Sequence, residues 1–434
     1  MNGRDQPTVW IFTDLYWPTH AGVAVTVDFT IETLRAAGYR VGLVAVGNAV
    51  GSAADDVIAV PAVNDLNYQG DQTAVFSALA LTRKLRRSTS PADVFILATP
   101  GRLGLSGIGI GRLLNIRTIL LHLTDFVAYT RYYSPARLVL TNAAKISFAL
   151  MASAVARRRP LTRERSLVPH RGTVRGRAFF ATAALTMICR RADTVLALSE
   201  WHAASLRRSG IPARVWPSGI TLPANWPARR RTKSAAPVRF LYVGRVVPEK
   251  NVLLLLRAFS LLVATGIEVE LVIAGTGRAL DEAKTFARSA GIGRAVRFLG
   301  GVPRDDLGAV YAESDVFVFP SVTDTQGLVL SEAALYRLPL ITLDPRLPLG
   351  TTDATAMGDP AALASRMGAL ARDPLVRRRA GEQAWLSVYR MQERSRESLL
   401  SVVGAYARKS VVRDAQAQVG ADRGAHRGDE RIGT

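Results

Sequence analysis

The sequence has a single cysteine, Cys189, in 434 residues, so no internal disulfide is possible and a reducing compartment is expected. It is also short of acid. Fifty-six Lys and Arg face 35 Asp and Glu, a formal charge of +21. A surplus of that size favours polyanionic partners: nucleic acid, anionic lipid headgroups or phosphorylated substrates. Long unbroken apolar runs are missing too. The best candidate span, Leu138–Ala156, is interrupted by Asn142, Lys145 and small polar residues, whereas a transmembrane helix needs roughly 20 mostly apolar residues. The polar start, Met1 to Thr8, runs straight into Val9-Trp10-Ile11-Phe12 and lacks the pattern of a signal peptide. These absences predict a chain in the cytoplasm or peripherally on the inner face of a membrane.

What is present is a repeated alternation of short apolar runs and helical patterns. In the first half the predicted strands are Val9–Phe12, Val41–Val46, Val94–Ala98, Thr118–His122 and Thr194–Leu198. Helices are predicted over Val23–Ala37, Ala74–Arg87 and Trp201–Arg208. A proline-punctuated, basic stretch over 223–237 reads as a linker with little that could pack. A second alternation follows, with strands Val238–Val243, Val269–Ala274, Val296–Leu299, Val316–Phe319 and Leu340–Leu343. Helices are predicted near Val252–Thr265, Ala279–Ala290, Leu307–Glu313 and Leu328–Arg337. Apolar strands separated by helices predict parallel sheets covered on both faces. The fold class is therefore α/β: two doubly wound Rossmann-like domains facing a cleft, with C-terminal helices. The expected boundaries are 1–222, a linker at 223–237, 238–390, a helix over 391–409 that can return to the first domain, and a disordered tail over 410–434. An insert over about 134–190 has apolar patches beside Arg157-Arg158-Arg159, Arg163, Arg165, Arg171, Arg175 and Arg177. It fits a segment lying on an anionic membrane, or an ordinary helical insertion with a solvated basic face.

Two segments carry candidate chemistry. In Tyr242-Val243-Gly244-Arg245-Val246-Val247-Pro248-Glu249-Lys250-Asn251, Gly244 allows close backbone approach after a strand, and Arg245 offers a planar fork for two phosphate oxygens. Lys250 adds a mobile point charge, and the helix starting near Asn251 adds its positive end. The same stretch also fits a strand–loop–helix with two exposed cations. In the second segment, Asp324-Thr325-Gln326-Gly327 leads into a helix holding Glu332. Asp324 and Glu332 are eight apart and do not form a side-by-side helical pair. They suit two parts of one extended ligand, with the Gln326 and Gly327 amides at the helix N-terminus between them. An N-capping Asp or Thr plus an ordinary helical Glu fits as well.

Gly-Arg-x4-Lys followed by a carboxylate-x7-Glu resembles the retaining GT-B glycosyltransferases of family 4. Phe12-Thr13-Asp14-Leu15-Tyr16-Trp17-Pro18 with Gly22-Val23-Ala24 is similar to that family's opening strand and glycine loop. Leu123-Thr124-Asp125-Phe126 falls where many members have His-Thr-Asp-Phe, and Leu198-Ser199-Glu200 and Trp216-Pro217-Ser218-Gly219 also match. The resemblance implies that Arg245 and Lys250 hold the diphosphate of a UDP- or GDP-linked sugar and that Glu332 bonds the ribose. It implies further that Asp324, with the Gln326 and Gly327 amides, holds the transferred hexose, and that Gly22 lets the first domain approach the donor. No Asp-x-Asp occurs anywhere, so no metal is expected, and fixed cations would stabilise the leaving diphosphate. The expected acceptor is a membrane lipid; a soluble or polyprenyl-linked glycan, or a weakened nucleotide-sugar binder, are the alternatives. Nucleic acid is not expected, because no stacking aromatics interleave with the insert's arginines. Three departures from the pattern stand out: Asp324 in place of Glu, Leu123 in place of His beside His122, and a short loop at 344–350.

Overall fold

The structure is a computed structural model that describes residues 7–17, 22–47, 52–64, 72–74, 76–90, 93–98, 101–123, 189–228, 237–347, 349 and 358–428. The basic insert, Thr124 to Phe126 and the linker's Arg229, Arg230, Arg231 and Lys233 lie outside the described residues.

The first domain contains β1 (Thr8–Thr13), α1 (Gly22–Ala36), β2 (Arg40–Val46), β3 (Asp56–Val60), β4 (Ala62–Asn64), β5 (Gln72–Ala74), α2 (Ala78–Ser88) and β6 (Val94–Leu97). It continues with α3 (Arg102–Leu114), β7 (Arg117–His122), β8 (Thr194–Ala197), α4 (Glu200–Arg208) and β9 (Ala213–Val215). Its strands line up as β3-β2-β1-β6-β7-β8-β9, all parallel, with β4 and β5 forming a small antiparallel pair. The apolar run of β6, Val-Phe-Ile-Leu, is buried along its whole length, as a central strand covered on both faces requires.

The second domain runs β10 (Val238–Val243), a 3-10 turn at Pro248–Lys250, α5 (Val252–Val263), β11 (Val269–Ala274), α6 (Leu280–Ser289), β12 (Val296–Gly300) and α7 (Arg304–Ala312). Then come β13 (Val316–Phe319), α8 (Leu328–Leu335), β14 (Leu340–Thr342), α9 (Pro360–Arg372) and α10 (Pro374–Gly428). Its parallel sheet has the order β12-β11-β10-β13-β14. The chain direction of winding reverses between β10 and β13, and in doubly wound sheets the crevice at that reversal takes ligands.

Helix α10 ties the domains together. Its first half packs Ala384, Val388 and Met391 into the second domain's core, while Leu399, Val402 and Val403 complete one face of the first domain's sheet. Trp216, fully buried, donates its indole N–H to the Ser395 carbonyl at 3.1 Å.

Several expectations need correction. The 391–409 segment is not a separate helix but part of α10, and the helix continues to Gly428 through the stretch expected to be a disordered tail. No proline follows Pro374, and Ala, Arg, Gln and Lys are good helix formers. The start of the linker does pack: Trp226 joins the second domain's core, its indole N–H on the Arg304 carbonyl at 2.9 Å. Helix α3 has no counterpart among the predicted elements. Gly107 and Gly111 break its apolar pattern, yet a Cβ on them would sit 2.4 Å from Leu97 and 2.7 Å from Thr118. The glycines let this helix lie directly on the sheet.

Candidate active site

The carboxyl edge of the second sheet collects the residues singled out above. Gly244 follows β10 with φ +148°, a backbone region that favours glycine. Its neighbour across the edge is a loop outside the two motif segments, Gly275-Thr276-Gly277. A Cβ on Gly275 would stand 1.8 Å from the Gly244 carbonyl oxygen, and one on Gly277 would stand 2.3 Å from that of Val246. The Val246 N–H donates to Thr276 O at 2.8 Å, and the Ala279 N–H donates to Val246 O at 3.0 Å. Two bare backbones thus pack face to face. A Gly-x-Gly directly after an apolar strand was the available signal.

Arg245 is exposed at this edge. Its carbonyl accepts from the buried Tyr242 hydroxyl at 2.8 Å. Burial, and secondarily the nearby charge of Asp324, raises the Tyr242 pKa far above the ordinary tyrosine value, so the phenol stays protonated as the donor that anchors the loop.

Lys250 is not the mobile point charge the sequence suggests. It is only 6% exposed, with Nζ 2.7 and 2.6 Å from the two Asp324 oxygens and 5.7 Å from the Phe319 ring centroid. The residues assigned to diphosphate and to sugar therefore bond each other across the β10–β13 reversal. A lysine ammonium has three N–H groups, and this geometry uses two on Asp324. Neither Asp324 nor Thr325 caps α8, whose N-cap is Gly327 at φ +72°.

Glu332 is buried, and each of its oxygens already accepts one hydrogen bond: Oε1 from Arg304 Nη1 and Oε2 from the Tyr311 hydroxyl, both at 2.8 Å. An ionised carboxylate offers about four acceptor sites, so roughly one remains on each oxygen. Burial is the main cause of the raised Tyr311 pKa, with the Glu332 charge second; the phenol remains a donor.

Gln326, expected to be exposed at the helix end, is instead buried and spans the domains. Its Oε1 accepts from the Ser218 N–H at 2.8 Å, and its Nε2 donates to the Ser218 carbonyl. Thr325 Oγ1 donates to the carbonyl of Leu123 at 2.9 Å. Gly22, the first residue of α1, faces the second domain, where a Cβ would come 3.3 Å from Leu328.

Of the short loop at 344–350, Arg346 is held by Asp344 through Nε and Nη2, both at 2.6 Å, and donates to Val322 O at 2.7 Å. Its guanidinium lies 4.5 Å from the ring centroid of Trp201 in the first domain. Beneath Trp201, His202 meets His122 with ring nitrogens 2.9 Å apart, both side chains buried. Burial first, and the neighbouring ring second, brings the His122 pKa down to about 3.

The edge thus carries four cation–carboxylate pairs: Lys250–Asp324, Arg304–Glu332, Arg346–Asp344 and, at 3.7 Å, Arg278–Glu249. Among the described residues, no three His, Cys, Asp or Glu side chains gather closely enough to hold a metal ion.

Comparison with known proteins fits this arrangement. The family described as Glycosyltransferase Family 4 matches residues 20–222, and Glycosyl transferases group 1 matches residues 228–384. This chain is a family-4-like GT-B glycosyltransferase. The glycosyltransferase is 34% identical over 167 residues to glycogen synthase of Mycobacterium tuberculosis, a stretch covering 37% of this chain and 40% of that relative. It is 24% identical over 346 residues to alpha-monoglucosyldiacylglycerol synthase of Streptococcus pneumoniae, covering 77% and 70% of the two chains. Its fold matches a variant of S. aureus TarM, solved with UDP and alpha-GlcNAc-glycerol, at a TM-score of 0.63 and 9% identity over 93% of this chain and all of that one.

Proposed function

We propose that this glycosyltransferase moves a hexose from a UDP- or GDP-linked donor to a membrane-associated lipid acceptor, with retention of configuration and without a metal ion. The observation that carries the reading is the pairing of Lys250 with Asp324 at the sheet reversal, flanked by Arg245 and Glu332. Arg245 and the third Lys250 N–H bind the diphosphate, and Glu332 takes the ribose hydroxyls. Asp324, with the Gly327 backbone amide, orients the hexose. As the bond from the anomeric carbon to the phosphate oxygen breaks, Arg245 and Lys250 stabilise the charge that develops on the diphosphate. The acceptor oxygen attacks from the same face and passes its proton to the departing phosphate. Metal independence is supported by the cations already paired with Asp324, Glu332 and Asp344 at this edge.

The lipid acceptor is supported by the match to a diacylglycerol glucoside synthase over three quarters of the chain and by the basic, partly apolar sequence of 134–190. No helix among the described residues is long and apolar enough to cross a membrane, so contact with lipid is peripheral in this reading. The match to glycogen synthase favours a glycan acceptor as the second reading.

Thermal-shift titration with UDP-glucose, UDP-N-acetylglucosamine and GDP-mannose, with and without EDTA, tests the donor half. A dose-dependent shift with one donor, indifferent to EDTA, is expected, because a ligand that binds only the folded state raises its stability. No shift with any donor overturns the enzymatic reading; a shift abolished by EDTA overturns metal independence. Product formation on diacylglycerol-containing anionic vesicles, but not on soluble glucan, is expected for the acceptor half.

A further inference from the structure

We propose that Trp17 of the first domain and Arg304 of the second form a positioning relay onto Glu332, so that ribose recognition in one domain depends on a side chain of the other. The proposal rests on the assignment of Glu332 to the donor ribose made above.

Arg304 opens α7, and its Nη1 holds Glu332 Oε1 at 2.8 Å. Its guanidinium carbon lies 5.2 Å from the ring centroid of Trp226 and 5.6 Å from that of Trp17. Arginine stacks readily between aromatic faces, and stacking restricts the plane of its donor fork. One face of the sandwich belongs to the second domain's core. Trp226 is buried against Tyr311 and Tyr336, with ring centroids 5.7 and 6.1 Å away, and Gly308 leaves room for it, since a Cβ there would fall 2.5 Å from its ring.

The other face comes from across the cleft. Trp17 follows β1, and its indole N–H donates to Asp28 Oδ2 at 2.6 Å, while Tyr16 donates to Oδ1 of the same carboxylate at 2.6 Å. Asp28 is on α1, so the first domain's own framework aims this ring. The guanidinium then fixes one oxygen of Glu332 as Tyr311 fixes the other, and the acceptor sites that remain are oriented for a pair of vicinal hydroxyls. When the domains part, Trp17 leaves, and the fork and the carboxylate regain their rotational freedom. Trp17 stands in the sequence motifs only within the opening run, with no role assigned to it, and Arg304 does not stand there at all.

The test compares binding of UDP with 2′,3′-dideoxy-UDP, and of GDP with its dideoxy counterpart, by calorimetry on the full chain. Wild type is expected to prefer the ribose form of its nucleotide by about tenfold or more. Arg304→Gln is expected to reduce that preference to within about twofold. Trp17→Leu reduces it about fivefold, and Trp17→Phe, which keeps an aromatic face but not the indole N–H, retains most of it. A loss confined to the ribose form is something general destabilisation does not produce. An unchanged preference in folded Trp17→Leu and Arg304→Gln overturns the relay, as does tighter ribose binding in Arg304→Gln, which marks Arg304 as an occluding group. If wild type binds a nucleotide without preferring ribose, the Glu332 assignment falls and the relay with it, whereas the diphosphate assignment stands. Should Arg304→Gln fail to fold, the Trp17 pair decides alone.

Discussion

The two sheet edges that face the cleft are made of different materials. The second domain's edge presents Lys250, Arg278, Arg304 and Arg346, each beside a carboxylate. The first presents Trp17, the Leu123 carbonyl, Trp201 and, beneath it, two buried histidines, of which burial holds His122 uncharged. Charge is concentrated where a nucleotide diphosphate would be bound and its leaving charge stabilised. The opposite wall supplies the aromatic faces of Trp17 and Trp201 and the Leu123 carbonyl, with the Asp28 carboxylate behind Trp17. Two of the four pairs, those of Arg304 and Arg346, are stacked on first-domain tryptophans. The difference therefore describes a division of labour: one domain holds most of the charges and the other lays aromatic rings over two of them.

The strongest way to break that comparison is to unbalance one pair. Asp324→Ala leaves a lysine that is almost fully buried without its counter-charge, and removing one partner of a buried pair costs about 3–5 kcal/mol. Urea denaturation of Asp324→Ala, Lys250→Met and the double variant is expected to show a large loss for Asp324→Ala. The double variant should recover part of it, because the two sites are coupled. Strict additivity would mean that the pair is not a unit. The next effect acts through backbone. Gly275→Ala drives a Cβ to 1.8 Å from the Gly244 carbonyl at a φ of +151°. It is expected to cost about 2–3 kcal/mol in strain and displacement and to weaken donor binding more than tenfold. Wild-type donor affinity in that variant would separate the glycine loop from the phosphate site.

How much of this was legible beforehand depended on the kind of signal. Apolar runs such as Val316–Phe319 and Val94–Leu97 read as central strands because they are short, rich in β-branched and aromatic residues and apolar at every position. Helix α3 was not legible, since its glycines matter only against Leu97 and Thr118, which the sequence does not place beside them. In the site, Gly244, Arg245, Lys250, Asp324 and Glu332 could be named from spacing. That Lys250 holds Asp324, that Gln326 reaches Ser218, and that Arg304 covers Glu332 could not. Such contacts join positions 74, 108 and 28 residues apart, and side chains of ordinary type give no sign of their distant partners.

The neutral wall has its own pH signature. The His122 pKa is about 3 in the folded chain against an ordinary 6.5, so the unfolded chain binds more protons across that interval. The stability conferred by the neutral ring is complete above pH 6.5 and is lost as pH falls towards 3. By pH 5 the loss is on the order of 1–2 kcal/mol. Thermal melts from pH 7.5 to 4.5 are expected to fall more steeply for wild type than for His122→Leu. Parallel curves would show that the histidine takes up its proton without disturbing the fold.

The smallest effect concerns the single hydroxyl that crosses from the charged motif to the neutral wall. Thr325 Oγ1 donates to the Leu123 carbonyl at 2.9 Å, at the position where the family pattern has a histidine side chain and this chain has an apolar one. Thr325→Val keeps the shape of the side chain and removes the donor. A neutral hydrogen bond of this kind contributes about 1 kcal/mol net, so global stability should change little. Because the bond joins the domains directly beside Asp324, its loss is expected to raise the donor KM severalfold while leaving kcat within about twofold. A fall in kcat with an unchanged KM would instead place Thr325 in the transfer step itself. The Leu123 carbonyl would then have taken over, through Thr325, a role that elsewhere belongs to a side chain at that position.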